Sequence, residues 1–340
     1  MRKCLVLVAL VCLVLMVAAP GAWAKMTIKY GHVAPPFHGQ SKGVDAFAKY
    51  VLEKTNGEIE VKTFPFGQLG TERSMAEQVQ AGTLEMSSIT TAVLSNYVPQ
   101  VAVMDLPFVF PSRKAAYAVI DDPKWQEKIF SYLPAKGFIG IGWTENEFRD
   151  INSKKGPVKK PEDLKGLKIR VMNSPVYLDT FKQLGASPVG IPFPELYNAL
   201  QQGVIDAQEN PLLTSILIKA TEVAKFVTIT NHILTECIHI VNPDFWKKLS
   251  PAQQQIFREG AQLQIKVNRE ENVKLEKKLP KTDLSVEQYC KANGVKVTHL
   301  TPAERQAFAQ AMRPVWDKYR NEVGADLYDF FMANIKSHSK

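Results

Sequence analysis

The residues most able to do chemistry in this 340-residue sequence are arginines placed where strands end. In Leu167-Lys168-Ile169-Arg170-Val171 the apolar odd positions can face a core, which leaves Arg170 to project near the strand's carboxyl end, with Asn173 just beyond. A guanidinium grips a carboxylate through two parallel hydrogen bonds. Arg149 stands in Glu147-Phe148-Arg149-Asp150 after the apolar 138–143 run. A strand expected over 204–208 delivers Glu209-Asn210-Pro211, where Pro211 ends the ladder and Asn210 offers both a donor and an acceptor. Taken singly, such an arginine is more often a solvated or salt-bridged surface residue, so these positions establish only that a bidentate anion site can be built.

No catalytic pattern accompanies them. The sequence holds no Gly-x-Ser-x-Gly elbow, no His-Glu-x-x-His helix, no Walker phosphate loop and no Gly-x-Gly-x-x-Gly. Its six histidines are dispersed: His32 and His38 flank Pro35-Pro36, His232 and His239 lie seven apart across an expected strand, and His299 and His338 stand alone. No Cys, His and carboxylate cluster has ligand spacing, so neither a metal nor a cofactor is expected. The chemistry present is that of binding without turnover.

The elements that must hold these residues are α/β. Met26, Ile28 and Tyr30 alternate with polar residues as a strand that opens at Gly31-His32 into the Pro35-Pro36 loop. Val44, Phe47, Ala48 and Val51 then recur at helical spacing before a second strand over 59–64. Further units are expected as helix 72–81 with strand 84–89, strand 167–171 with helix 176–184, and helix 194–202 with strand 204–208. Segments 79–86 and 200–207 look alike, each a helix end, a glycine suited to a left-handed cap and a short strand. Either the likeness is chance, or the chain holds two lobes of similar topology whose strands end at a shared cleft. The last third is helical. Ser250-Pro251-Ala252-Gln253 and Thr301-Pro302-Ala303-Glu304 are capping boxes with proline at the first helical position. The helix from Pro251 has no breaker until Pro280, and the helix from Thr301 carries Phe308, Met312, Val315 and Tyr319 as one apolar stripe.

Composition and the N-terminus set the compartment. With 45% hydrophobic and 22% charged residues, the chain has the balance of a folded globular protein. Arg2 and Lys3 lead an apolar run from Cys4 to Ala19, and Ala22-Trp23-Ala24 offers small residues to a signal peptidase. A signal peptide over 1–24, cleaved after Ala24, and a periplasmic protein are therefore expected. Cys12 follows Val11 inside the apolar run, which argues against a lipoprotein anchor. No later run approaches the about 18 residues a bilayer span needs. Loss of Arg2 and Lys3 takes the formal charge from +8 to +6, and the remaining lysine pairs are scattered, which excludes a nucleic-acid-binding tract. Cys237 and Cys290 are expected as buried free thiols, with one disulfide as the alternative.

Four segments, in this order and spacing, carry a resemblance: Gln68-Leu69-Gly70-Thr71-Glu72-Arg73, Leu167-Lys168-Ile169-Arg170-Val171, Gln208-Glu209-Asn210-Pro211 and Thr230-Asn231-His232-Ile233. Together they resemble the extracytoplasmic solute-binding subunits of TRAP transporters, the DctP family, over nearly all of the chain after the leader. The resemblance implies a two-lobed periplasmic binding protein fold, with crossing strands and a long helix spanning both lobes. It implies closure on a small organic carboxylate and delivery to integral-membrane permease subunits driven by an ion gradient. The lobes are expected over 25–146 with about 236–275, and over 147–235 with about 276–340, bridged by a helix over about 251–279. By position, Arg170 falls on the family's principal carboxylate-binding arginine, Asn210 on the asparagine that assists it, and Arg149 on a second arginine often at the ligand. Asn173 and Phe193 fall on pocket-lining positions, and His32, Phe37 and Glu72 on first-lobe cleft positions that vary with the ligand. Sialic-acid binders are polar where this chain has Ala34-Pro35-Pro36-Phe37, which favours a smaller or partly apolar carboxylate. A monomer is expected. The rival readings are a sensor or interaction protein of the same fold, and a secreted enzyme acting on a small organic acid.

Overall fold

The alternation at Met26, Ile28 and Tyr30 forms β1 (Met26–Gly31), with Ile28 and Tyr30 buried. The computed structural model describes residues 25–338, so the leader expected over 1–24 and its cleavage site lie outside the described residues. β1 runs parallel to β2 (Ile59–Phe64) and β3 (Met86–Thr90). The Gly39–Lys54 helix fills the first crossover, burying Val44, Phe47 and Val51 as their spacing requires. Two antiparallel strands, β4 (Ile139–Phe148) and β10 (Leu234–Val241), complete a five-stranded sheet of order β2-β1-β3-β10-β4.

A six-stranded sheet of order β11-β9-β5-β8-β6-β7 forms the second half. Its strands are β5 (Asp150–Ser153), β6 (Lys168–Val171), β7 (Ser187–Gly190), β8 (Ala207–Asn210), β9 (Phe226–Ile229) and β11 (Lys296–His299). β3 and β8 begin two and three residues later than the sequence pattern suggests. Gly82 and Gly203 are left-handed (φ 74° and 77°), and the chain turns after each before it can pair. β8 then runs on to Asn210, which stands opposite Asp150 of β5.

The sheets are joined where β4 passes into β5 at Arg149 and where β9 passes into β10 through residues 230–233. These crossings bond to each other: Arg149 N–H donates to Ile233 O at 2.9 Å, and His232 N–H donates to Arg149 O at 3.1 Å. Glu147 and Asn231 take φ of 55° and 44°, a region that costs a residue with a side chain about 1–2 kcal/mol. Pairing of β4 with β10 shifts register between Leu234 and Glu236, and the Glu145 N–H is satisfied by Asn268 Oδ1 at 2.8 Å. Asn268 belongs to the Pro251–Lys277 helix, which starts at the expected capping box and is about 40 Å long. This helix lies along the Gly39–Lys54 helix and β4, and its far end meets the Val286–Ala292 helix, which packs on β11.

The C-terminal stretch departs from expectation in two ways. Phe308, Met312, Val315 and Tyr319 are all buried, yet they span two helices, Pro302–Ala311 and Arg313–Val323, because Pro314 has no N–H with which to continue the ladder. The stretch also divides its packing. β11 joins the second sheet, and Tyr319 Oη donates to Asp179 of the Pro175–Gln183 helix. Phe308, by contrast, stacks on Phe108 at 5.9 Å, and Phe331 of the Ala325–Ser337 helix meets Trp125 at 4.8 Å, both within the first half of the chain. Among the described residues no helix is long and apolar enough to cross a membrane, and Cys237 and Cys290 are buried and unpaired.

Two predictions test this packing. A Cβ on Gly43 would sit 2.6 Å from the Gln264 carbonyl oxygen of the long helix, so Gly43→Ala should destabilise the fold by about 1–3 kcal/mol in denaturant titration. His239 on β10 has Nδ1 2.7 Å from the Tyr30 hydroxyl, and burial pushes the imidazole from 6.5 down to about 3. The unfolded chain therefore takes up the proton first, so the stability contribution is complete above 6.5 and is lost as pH falls toward 3. The stability advantage of the unaltered protein over His239→Gln should shrink across that window by up to about 1.4 kcal/mol per pH unit. A difference that stays constant from pH 7 to pH 5 would contradict a neutral buried imidazole.

Candidate functional site

Arg170 projects from β6 between Ile169 and Val171, which are buried in the core. Its side chain is 1% exposed, yet the protein engages little of it. Nε donates to Ile191 O at 2.8 Å, while Nη1 has no partner. Burial lowers the guanidinium to about 10, with Glu209 and Glu72 holding it up and Arg149 pressing it down, so it stays charged at neutral pH. A buried cation with an open donor is costly until an anion completes it.

That cation lines a cavity of about 380 Å³, a size typical of small-molecule sites. Asn173 and Phe193 line it from the second half of the chain, and Glu72 lines it from the first, at the start of the Glu72–Ala81 helix. Val33, Val93, Met172 and Ile191 give it an apolar lining. The two halves also touch at the cavity itself. Asn96 Nδ2 donates to Asn173 O at 2.9 Å, and the Phe66 ring meets the edge of Phe193 at 6.4 Å. Asn96, Tyr97 and Arg73 line the cavity as well; the sequence marks Arg73 only as part of the Gln68–Arg73 segment and gives it no site role. Arg73 directly follows Glu72 at a helix start, which was the one available signal; Asn96 and Tyr97 sit in a short turn that no pattern marks.

Asn210 ends β8 beside this cavity and lines a smaller void shared with Glu72, Phe193 and Cys237. Its Oδ1 accepts from Arg149 Nη2 at 2.9 Å, and its Nδ2 donates to Gln208. Arg149, expected at the ligand, is not among the residues that line this cavity, and its Nη1, like that of Arg170, has no partner. It is wholly buried, and Glu209 takes it through a two-pronged contact at Nε and Nη2. Burial would raise the Glu209 carboxyl, but Arg149 and then His232 outweigh that and hold it below the ordinary value. His232 Nε2 lies 3.3 Å from the same carboxylate, and its Nδ1 lies 2.7 Å from Thr230 Oγ1. The ion pair therefore sits at the crossing itself.

The other first-lobe positions fall outside the cavity lining. His32 is buried, its backbone N–H pairs with Phe64 O, and burial lowers its imidazole to about 4. Phe37 is 44% exposed with the Lys281 ammonium 5.5 Å from its ring centre, because Pro35-Pro36 turns it outward. Among the described residues no group of three or more His, Cys, Asp or Glu could hold a metal ion.

Comparison with known proteins adds the relationship. The description of bacterial extracellular solute-binding proteins, family 7 (DctP), matches residues 30–322. A solute-binding protein of Verminephrobacter eiseniae is 35% identical over 285 residues, covering 84% of this chain and 82% of the relative. The C4-dicarboxylate-binding periplasmic protein DctP of Rhodobacter capsulatus is 32% identical over 326 residues, covering 94% of each. Among solved structures, a TRAP periplasmic solute-binding protein of Ralstonia eutropha H16 with bound (S)-2-acetolactate superposes with a TM-score of 0.83 at 32% identity, covering 92% of this chain and 99% of that one. The family is a substrate-binding component of transport and not an enzyme family. On the extent of these matches, the chain belongs to the DctP family of extracytoplasmic solute-binding proteins.

Proposed function

We propose that this protein is the periplasmic subunit of a TRAP transporter, that it binds a small organic carboxylate between its two halves, and that it hands this solute to an ion-gradient-driven permease. The observation that carries the reading is Arg170, a buried guanidinium with an unpartnered Nη1 beside a cavity of ligand size. The carboxylates named for the Rhodobacter and Ralstonia relatives support the same class of solute. In this reading Arg170 anchors the carboxylate, Asn173 and Phe193 bound it, and Asn210 assists from the adjoining void. Arg149 acts through Asn210, whose amide it orients, and His32 and Phe37 shape the first-lobe loop without touching the ligand. The lobes take residues 25–146 with about 236–275, and 147–235 with about 276–340, with the final helices strapping both. The leader is removed after Ala24, and the protein works as a monomer.

The reading is tested with the acid recovered by mass spectrometry from gently purified protein. Arg170→Lys should weaken its binding by about tenfold or more, and Arg170→Ala by about 2–5 kcal/mol, in calorimetry on variants with unchanged circular dichroism. Unchanged affinity in Arg170→Ala removes the anchor from this account, and turnover of the acid by isolated protein favours the enzyme reading. Because Glu72 and Arg170 come from different halves, a ligand held by both biases the chain toward the closed form. Solution scattering should show a smaller radius of gyration with saturating acid than in protein stripped of it. Superimposable curves would count against closure while leaving the anchor standing.

A further inference from the structure

Lysines that lie scattered along the sequence are gathered by the second sheet. β6, β7 and β8 run parallel, β9 and β11 run parallel, and β5 runs against both β8 and β9, so the starts of β6, β7, β8, β9 and β11 share one edge with the end of β5. Arg170, Asn210 and the two crossings belong to the opposite edge. The lysine edge is continuous from strand to strand. Lys168 O accepts from Asp206 N–H at 2.8 Å, Asp206 O accepts from Lys154 N–H at 3.0 Å, Ser153 stands opposite Phe226, and Lys225 O accepts from Lys296 N–H at 2.7 Å. Lys154, Lys155, Lys168, Lys225 and Lys296 thus form one row, with Lys165 in the turn that leads into β6. With about 4.8 Å between neighbouring strands, the row is about 20 Å wide.

We propose that this edge is a docking surface for an anionic phospholipid membrane, which holds the protein at the bilayer with its cavity turned away from the lipid. The charge of the row is not cancelled where it stands. Asp206 lies inside the row and pairs with Lys155 at 3.0 Å, and Glu222 stands three residues ahead of Lys225. Glu162 and Asp163, ahead of Lys165, are matched in number by Lys159 and Lys160. Eight lysines therefore meet four carboxylates, an excess of four out of the +6 expected for residues 25–340, so most of the net charge is concentrated here. The Lys154 and Lys225 ammonium groups donate to the carbonyl oxygens of Leu200 and Asn293, and that of Lys296 lies 5.1 Å from the Phe226 ring centre. These partners are neutral and leave the charge to act outward. The row is made of lysines without an arginine: flexible point charges suit a fluid layer of phosphates, whereas a guanidinium fork suits one fixed anion. Lysine is also depleted from protein interfaces, which argues against an acidic protein as the occupant. Val204, 54% exposed just ahead of β8 on the same edge, offers an apolar side chain to the headgroup boundary. Basic residues beside an anionic leaflet each add to the attraction, which fades within a Debye length. The hand-over proposed above brings the protein to a bilayer, and docking by this edge keeps it there with the cavity open to solute. The edge itself does not depend on what the cavity binds.

The test is cosedimentation with extruded vesicles of phosphatidylcholine, alone or with about one third phosphatidylglycerol, at about 20 mM and about 500 mM salt. At low salt the protein should bind the phosphatidylglycerol vesicles at least about tenfold more tightly than the neutral ones, and at high salt that preference should vanish. Lys168→Gln, Lys225→Gln and Lys296→Gln combined should weaken binding to the anionic vesicles by about tenfold or more, with circular dichroism unchanged. A control combining Lys49→Gln, Lys62→Gln and Lys124→Gln, all exposed in the first half, loses the same net charge and should bind as the unaltered protein does. Equal binding to neutral and anionic vesicles, binding to neither, or equal weakening by the two triple variants overturns the proposal. Retention on polyglutamate without binding to phosphatidylglycerol vesicles assigns the edge to an acidic protein and overturns it as well. The comparison of vesicles with the unaltered protein decides the matter even where a variant folds poorly.

Discussion

Two arginines are buried where the sheets meet, and the contrast between their partners governs what the molecule can do. Moving a guanidinium out of water carries a penalty that only an anion or a full set of acceptors offsets. Arg149 is offset internally: Glu209 engages Nε and Nη2, and Asn210 adds a further acceptor. Nη1 is open in both arginines, but Arg170 has no carboxylate on it: the Ile191 carbonyl meets its Nε, and the rest of the guanidinium lines the cavity. The first arginine is therefore a structural cation and the second a waiting one. Neither role follows from residue type, because both side chains are equally buried. It follows from which strand end lies beside Glu209.

The placement of Glu209 depends on the strand crossings. β8 delivers Glu209 opposite Ile151 of β5, one residue from the pair formed by Asp150 and Asn210. Arg149, at the joint of β4 and β5, then reaches both Glu209 and Asn210. His232, on the second crossing, faces the same carboxylate, so one ion pair touches both connections between the halves. The joints bear local strain at Glu147 and Asn231 and irregular pairing near Glu236. Asn268 and Asn272 of the long helix compensate by accepting from the backbone N–H groups of Glu145 and Gly39. Polar side chains on the buried face of a helix are thus used to finish a sheet and to seat another helix.

Much of this was legible in the sequence, and the exceptions have a common cause. Alternation in Leu167–Val171 marks Arg170 because a period of two is a local property of one strand. Capping boxes fix the start of the long helix for the same reason. The fate of Arg149 is not local: its partner lies 60 residues away, and only the antiparallel pairing of β5 with β8 joins them. The same holds for Phe37, which the resemblance puts at the cleft: its exposure and its contact with Lys281 depend on a residue far along the chain. The C-terminal stripe is buried as its spacing predicts, but which core it packs against depends on Phe108 and Trp125, far off in the chain. Patterns report which face is buried; they do not report against what.

The division between the halves also shapes the cavity. Arg170 comes from the second half with Asn173 and Phe193, while Glu72, Val33 and Val93 come from the first. Asn96 Nδ2 donates to Asn173 O and the Phe66 ring meets Phe193, so the halves touch along the edge of the cavity. In the proposed closure a carboxylate on Arg170 gains the first-half contacts as the halves come together, and a ligand shifts that equilibrium only by the contacts the closed form adds. Arg149 and Glu209, the charges at the crossing, stand apart from the residues that line the cavity, so a substitution among the first-half lining residues leaves that ion pair in place.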